Sequence, residues 1–340
     1  MRRHIVARLY EPTKRIRCEL GEAPIWDSRK GRLLWVDVEA SRIFVHSPDS
    51  TRSKEVEIHD LKKYSKYVST VVSVDGYEDT VVLGVKEGFA KYDLKRRTFE
   101  AHPSNPIRNR EGIERHEERF NDGKVDPQGR LWAGTLVRDL KTLDLCPKEG
   151  SLYVLSNWSR ESPPARVVRK VTCSNGLCWT GKTMFYIDSP TFAVDSFDYG
   201  DGSKSLGDIV KTRKTRFHVS TSFPPVPDGM IADTEGCLWV AHFGTGCVRR
   251  INPDDGRVLL QIDLPPEAGD QCTAVAWGGS TLGDLFITTA HEFWNEEKKE
   301  KFPLAGKLFH VPASELAEAC GFDRSHGKRT LGVAQCLYKL

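Results

Sequence analysis

Leu33-Leu-Trp-Val-Asp-Val38 is a short run of β-branched, aromatic and aliphatic residues, and five variants of it follow along the chain. They are Val81-Val-Leu-Gly-Val-Lys86, Leu131-Trp-Ala-Gly-Thr-Leu136, Met184-Phe-Tyr-Ile-Asp-Ser189, Leu238-Trp-Val-Ala-His-Phe243 and Leu285-Phe-Ile-Thr-Thr-Ala290. Such runs favour strands. Each is followed by a partner with its own apolar alternation, such as Ile43-Phe-Val-His46 or Val248-Arg-Arg-Ile-Asn252, and several partners end in turn signals such as Pro253-Asp-Asp-Gly256. Six repeats of about 50 residues, each with several short strands, fit blades of a propeller, because one blade cannot bury both of its faces alone. The expected fold is therefore all-β, a six-bladed β-propeller with four-stranded blades. It would form a single domain over 1–340, with about 15 N-terminal and about 25 C-terminal residues as closing or peripheral segments. A parallel α/β fold would need amphipathic helices between strands, and the only helix-like segment is Pro312–Ala319.

Composition narrows the function. With 50 basic and 47 acidic residues among 340, the net charge of +3 makes no case for nucleic-acid binding. The basic run within Glu296–Lys301 is interleaved with Glu and reads as a solvated loop. Nine cysteines form no CxxC pair and read as free thiols in a reducing compartment. No apolar run reaches signal-peptide or membrane-spanning length, so a cytoplasmic protein without membrane contact is expected, as monomer or weak homodimer.

Just ahead of each main strand lies another short segment whose polar residues share a register. Glu22 precedes Asp27 by five positions, as Asn121 precedes Asp126, Asn175 precedes Thr180 and Asp228 precedes Asp233. The same spacing places Cys272 and Thr70 in the register of the sixth and second blades. Innermost strands run side by side around a propeller axis, so Glu22, Asn121, Asn175 and Asp228 would point four oxygens at one place. Two carboxylates and two carboxamides suit a hard cation better than a soft one. Gly123, Gly176 and Gly229 would let the backbones bend closely there. His242 could line the pocket or pack within its strand, and Trp132, Trp179 and Trp239 read as packing residues.

At these residues the chain resembles the senescence-marker/regucalcin/gluconolactonase family. The matching runs are Gly21-Glu-Ala-Pro-Ile-Trp-Asp27, Arg119-Phe-Asn-Asp-Gly-Lys124, Ser174-Asn-Gly-Leu177 and Pro227-Asp-Gly-Met230, within a resemblance extending from about residue 18 to 312. The resemblance implies a propeller with one divalent metal ion, Ca²⁺ as the expected cofactor with Mg²⁺, Mn²⁺ or Zn²⁺ as alternatives, and hydrolysis of a sugar lactone or related ester. It further implies Glu22, Asn175 and Asp228 as metal ligands, and Arg119 and Asn121 as substrate contacts, with Asn121 a ligand in some members. Asp139 would be the sugar-contacting acid. Asp228 is the candidate catalytic residue, as the base that takes the water's proton or as a nucleophile that attacks the carbonyl directly. A calcium-binding regulator without catalysis, an esterase or phosphotriesterase on the same metal, and a propeller used as an interaction platform are the rival readings. The loops 141–150 and 291–304 are expected to roof the channel.

Overall fold

The computed structural model describes residues 4–48, 55–107, 116–220, 222–320 and 331–340. Six antiparallel sheets follow one another in chain order, each entered by its innermost strand. These innermost strands are Gly21–Asp27, Val68–Val74, His116–Val125, Ser174–Thr180, Val226–Ala232 and Cys272–Gly278. Each is followed by one of the repeated hydrophobic strands, from Arg32–Asp37 in blade one to Asp284–Thr289 in blade six. The protein is a six-bladed β-propeller.

Ring closure uses the N-terminal segment. Arg8–Leu9 pairs antiparallel with Phe309–Val311 and supplies the outer strand of blade six. His4–Val6 then adds a fifth, parallel strand to blade five. The start of the chain is thereby tied to the last two blades, which closes the ring. At the other terminus, Tyr338 bonds to Ser73 and Asp75 of blade two, and Lys339 donates its amide to Gly129 of blade three. Of the final residues expected to lie peripherally, 321–330 fall outside the described residues.

The core is divided as a propeller requires. Six apolar clusters sit one between each pair of neighbouring blades. The second strands are therefore covered on both faces: all of Arg32–Asp37 is buried, and Leu33, Leu34, Trp35 and Val36 are essentially inaccessible. Trp132, Trp179 and Trp239 are packing residues, as expected. Trp132 meets Trp179 edge-on, and Trp239 meets Trp277 in the same way.

Among the described residues, three short α-helices lie outside the blades. The segment Pro312–Ala319 forms the helix Ala313–Cys320. Glu296–Lys301, read from sequence as a loop, is also helical. It has no apolar face to betray it; Asn295 starts it by accepting the Lys298 amide at 2.9 Å. Leu206–Lys211 is capped likewise by Ser205.

Candidate functional site

The innermost strands depart from regular pairing at the polar register. In blades three to six, two residues oppose one at Asn121–Asp122, Asn175–Gly176, Asp228–Gly229 and Thr273–Ala274. Blade one bulges at Ala23–Pro24, directly after Glu22, and Ala23 takes the left-handed conformation (φ 46°) rare for a residue with a side chain. The Asn-Gly and Asp-Gly pairs are thus bulges within strands. Their glycines answer to space: a Cβ on Gly176 would lie 2.6 Å from that of Met230, and one on Gly229 2.6 Å from that of Ala274.

Pairing also corrects the register in two blades. Ser69 and Thr273, one position before Thr70 and one after Cys272, are the counterparts of Asp228. Both hydroxyls are turned to the protein. Thr273 donates to the Gly21 carbonyl at 2.6 Å, and Ser69 contacts the Gly84 carbonyl at 3.3 Å. Among these six register positions, the carboxylates and carboxamides come from blades one, three, four and five.

Glu22, Asn121, Asn175 and Asp228 all line one cavity of about 530 Å³ at the mouth of the channel. Arg119, Arg138, Gln271 and Glu292 share its wall. Asn175 donates Nδ2 to Ser189 Oγ at 2.8 Å, which fixes its amide and leaves its oxygen toward Asn121, 3.3 Å from Nδ2. Asn121 spends both ends of its amide within the chain. Its Nδ2 donates to the Ser174 carbonyl at 2.8 Å, and its Oδ1 accepts from Arg119 at 2.9 Å. Arg119 is buried, reaches the Phe120 carbonyl as well, and stands over the Tyr67 ring.

The acids are poorly compensated. Glu22 accepts only from the adjacent Ala23 amide among the bonds recorded for it, at 3.0 Å. Burial, with Asp122 and Glu292 nearby, pushes its carboxyl up to about 8 against the pull of Arg119. Burial and the charges of Glu22, Asp122 and Glu292 push Asp228 well above the usual carboxylate range. Its Oδ1 is buried without any hydrogen-bond partner. Asp122 is also raised by burial, relieved by Lys124, whose ammonium donates to the Met230 carbonyl at 2.9 Å.

An orphaned carboxylate oxygen among mutually repelling acids is the environment a cation relieves, and the available donors are oxygens. Among the described residues no three His, Cys, Asp or Glu side chains cluster as a metal site, so a ligand set here needs its carboxamides. Cys173 also lines the cavity, but burial pushes its thiol up to about 12, leaving it protonated.

Other candidates lie elsewhere. Asp139 is not part of the cavity wall; its Oδ1 accepts the amides of Lys141 and Thr142, at 2.8 and 3.2 Å, and so caps a turn. Its neighbour Arg138 faces the cavity instead and reaches Glu292 at 3.3 Å. His242 is buried in its strand, its ring nitrogens unpartnered, and burial lowers its imidazole to about 3. Sequence reasoning passed over Asp122, Arg138 and Glu292. Asp122 lay in view beside Asn121, and Glu292 belongs to one of the loops expected over the channel, whose Phe293 and Trp294 also line the cavity with Leu145 from the other.

Fold and site define a class: a propeller with a buried, oxygen-lined and acid-rich pocket at one end of its channel. Residues 20–291 match the model of the family described as SMP-30/Gluconolactonase/LRE-like region. The chain belongs to this family. It is 32% identical over 300 residues to chicken (Gallus gallus) regucalcin, spanning 87% of this chain and 91% of that one. It is 33% identical over 301 residues to YvrE, a Bacillus subtilis (strain 168) protein named for a sugar lactone lactonase activity, spanning 86% and 91%. Among solved structures it is similar to a luciferin-regenerating enzyme, with a TM-score of 0.78 and 26% identity over 98% of this chain and 99% of that one. Among the described residues no helix is long and apolar enough to cross a membrane.

Proposed function

We propose that the protein is a divalent-metal-dependent hydrolase that opens a lactone or related cyclic ester. The observation carrying this reading is Asp228, whose buried Oδ1 lacks a partner in a cavity shared with Glu22 and the two carboxamides. Glu22, Asp228 and the Asn175 oxygen would hold the ion; Asn121, its oxygen already bonded to Arg119, is a fourth candidate with one lone pair left. When bound, the cation would neutralise the acids and polarise the ester carbonyl.

The chain's own residues supply positioning and proton transfer. Arg119, anchored by Asn121, the Phe120 carbonyl and the Tyr67 face, presents a fixed guanidinium to the substrate's oxygens or the product carboxylate. Asp228 takes a proton from the attacking water while the water oxygen bonds to the acyl carbon. The bond from acyl carbon to ring oxygen breaks, and the departing oxygen receives the proton, yielding a hydroxy acid. The Bacillus subtilis relative named for a sugar lactone lactonase activity supports this chemistry.

The test follows acid release from D-glucono-1,5-lactone and simpler lactones with a pH indicator, using chelator-treated protein resupplied with Ca²⁺, Mg²⁺, Mn²⁺ or Zn²⁺ separately. Metal-dependent release above the spontaneous rate is expected. Metal binding without turnover of any lactone or ester would support the calcium-binding reading that the regucalcin names suggest.

A further inference from the structure

Resting on that hydrolytic reading, we propose that the substrate carries a bulky apolar arm, aromatic or branched aliphatic, in place of the polyol chain of a sugar lactone. The polar part of the cavity is the oxygen ring with Arg119 and Arg138, joined by Ser189, Gln271 and Glu292. Much of the remaining wall is hydrocarbon, with Phe192, Phe223, Phe243, Phe293 and Trp294 as its aromatic part. Phe223 and Phe293 are 65% and 58% exposed, the two most accessible large apolar side chains among the described residues. Phe192 and Phe293 are held at φ 57° and 61°, a backbone region that bulky residues seldom occupy, so the fold keeps these rings in place against a local conformational cost.

Several of the polar groups that could receive hydroxyls are engaged already, although the buried Gln271 Oε1 has no partner. Arg138 donates to the Leu143 carbonyl and to Glu292, and Gln271 donates to the Glu292 carbonyl at 3.0 Å. Asp139, the acid expected to hold a sugar, caps a turn outside the cavity. A polyol chain placed against this wall would lose water from its hydroxyls and regain few partners. The 530 Å³ available is also generous, since a cavity of about 150 Å³ takes up one benzene. It accommodates a lactone ring together with an arm of at least ring size, and an aromatic arm would gain offset contacts with the phenylalanines.

The decisive comparison is kcat/KM of the Ca²⁺-loaded protein for D-glucono-1,5-lactone, δ-valerolactone and 6-phenyl-δ-valerolactone. The phenyl-bearing lactone is expected to exceed gluconolactone roughly 100-fold, the scale set by burying one ring. Phe293→Ser, and separately Phe223→Ser, should each narrow the preference for the phenyl lactone over δ-valerolactone at least about fivefold, chiefly through KM. Both rings are exposed, so either variant should remain folded. Equal or better turnover of gluconolactone, or variants that slow both simple lactones alike, would overturn the apolar-arm assignment while leaving the hydrolase standing. Failure to hydrolyse any of the three with any metal would remove the hydrolytic reading itself and this proposal with it.

Discussion

Asp228 and Asp233 lie near opposite ends of one innermost strand, and their surroundings could hardly differ more. Asp233 accepts the amides of Glu235 and Cys237 at one oxygen, and the Trp239 indole and Arg250 guanidinium at the other, all within 2.9 Å. Asp126 repeats the arrangement in blade three with Gln128, Arg130 and Trp132. Asp27 closes blade one on Arg29 and Arg32. These acids tie the turn after the innermost strand to the strand beyond it. At the other end, Asp228 leaves an oxygen unpaired, and Glu22 in the same cavity accepts from the adjacent Ala23 amide. A fold that saturates one set of buried acids and leaves the other unsatisfied is organised for stability at one level and for a ligand at the other.

The largest effects should come from exchanging these roles. Asp228→Asn removes the proposed proton acceptor and anionic ligand but little packing, so kcat should fall by about 1000-fold with the thermal transition kept. Wild-type rates in that variant would break the contrast. Asp233→Ala should do the reverse. It leaves buried Arg250 with Glu235 alone, strips the Trp239 indole and two turn amides of their acceptor, and should cost about 3–5 kcal/mol in denaturant titrations, with the folded fraction retaining its kcat.

A sharper test uses pH. Burial and the Asp122 charge push the Glu22 carboxyl up to about 8 in the folded, metal-free chain, above its ordinary value of 4.5. The folded state therefore binds the extra proton between those values, and stability present below 4.5 is lost as pH rises through about 8. Chelator-treated protein should melt at lower temperature at pH 8 than at pH 6. Glu22→Gln should flatten that slope and raise the pH 8 transition by ~2 °C, at the expense of any stabilisation by Ca²⁺. A slope unchanged by the substitution would place the titration elsewhere.

The smallest effect concerns Asp139. As a turn cap outside the cavity, its replacement by Asn should change kcat/KM less than about threefold. A larger loss, confined to KM, would restore it as a substrate contact.

What the sequence disclosed follows from what repeats. Six copies of one hydrophobic strand specify the blades because each copy must be covered on both faces by its neighbours. The site register was visible for Glu22, Asn121, Asn175 and Asp228 because one spacing recurs in four blades. It slipped by one residue at Thr70 and Cys272, where a bulge displaces the chain and no carboxylate or carboxamide marks the position. Asp139 was misplaced for a related reason. Successive strand residues face opposite ways, so moving one position brings Arg138 into the cavity and takes the acid out of it. Glu292 and the aromatic wall come largely from loops and strand ends whose paths no repeat dictates.

The central claim is that the unsatisfied set holds a divalent cation and the saturated set does not. Calorimetric titration of Ca²⁺ into chelator-treated protein tests it most directly, comparing the wild type with Asp228→Asn and Asp126→Asn. One ion per chain is expected in the wild type and in folded Asp126→Asn, with at least a 100-fold loss of affinity in Asp228→Asn. Absence of binding in the wild type, or equal affinity in Asp228→Asn, would contradict it.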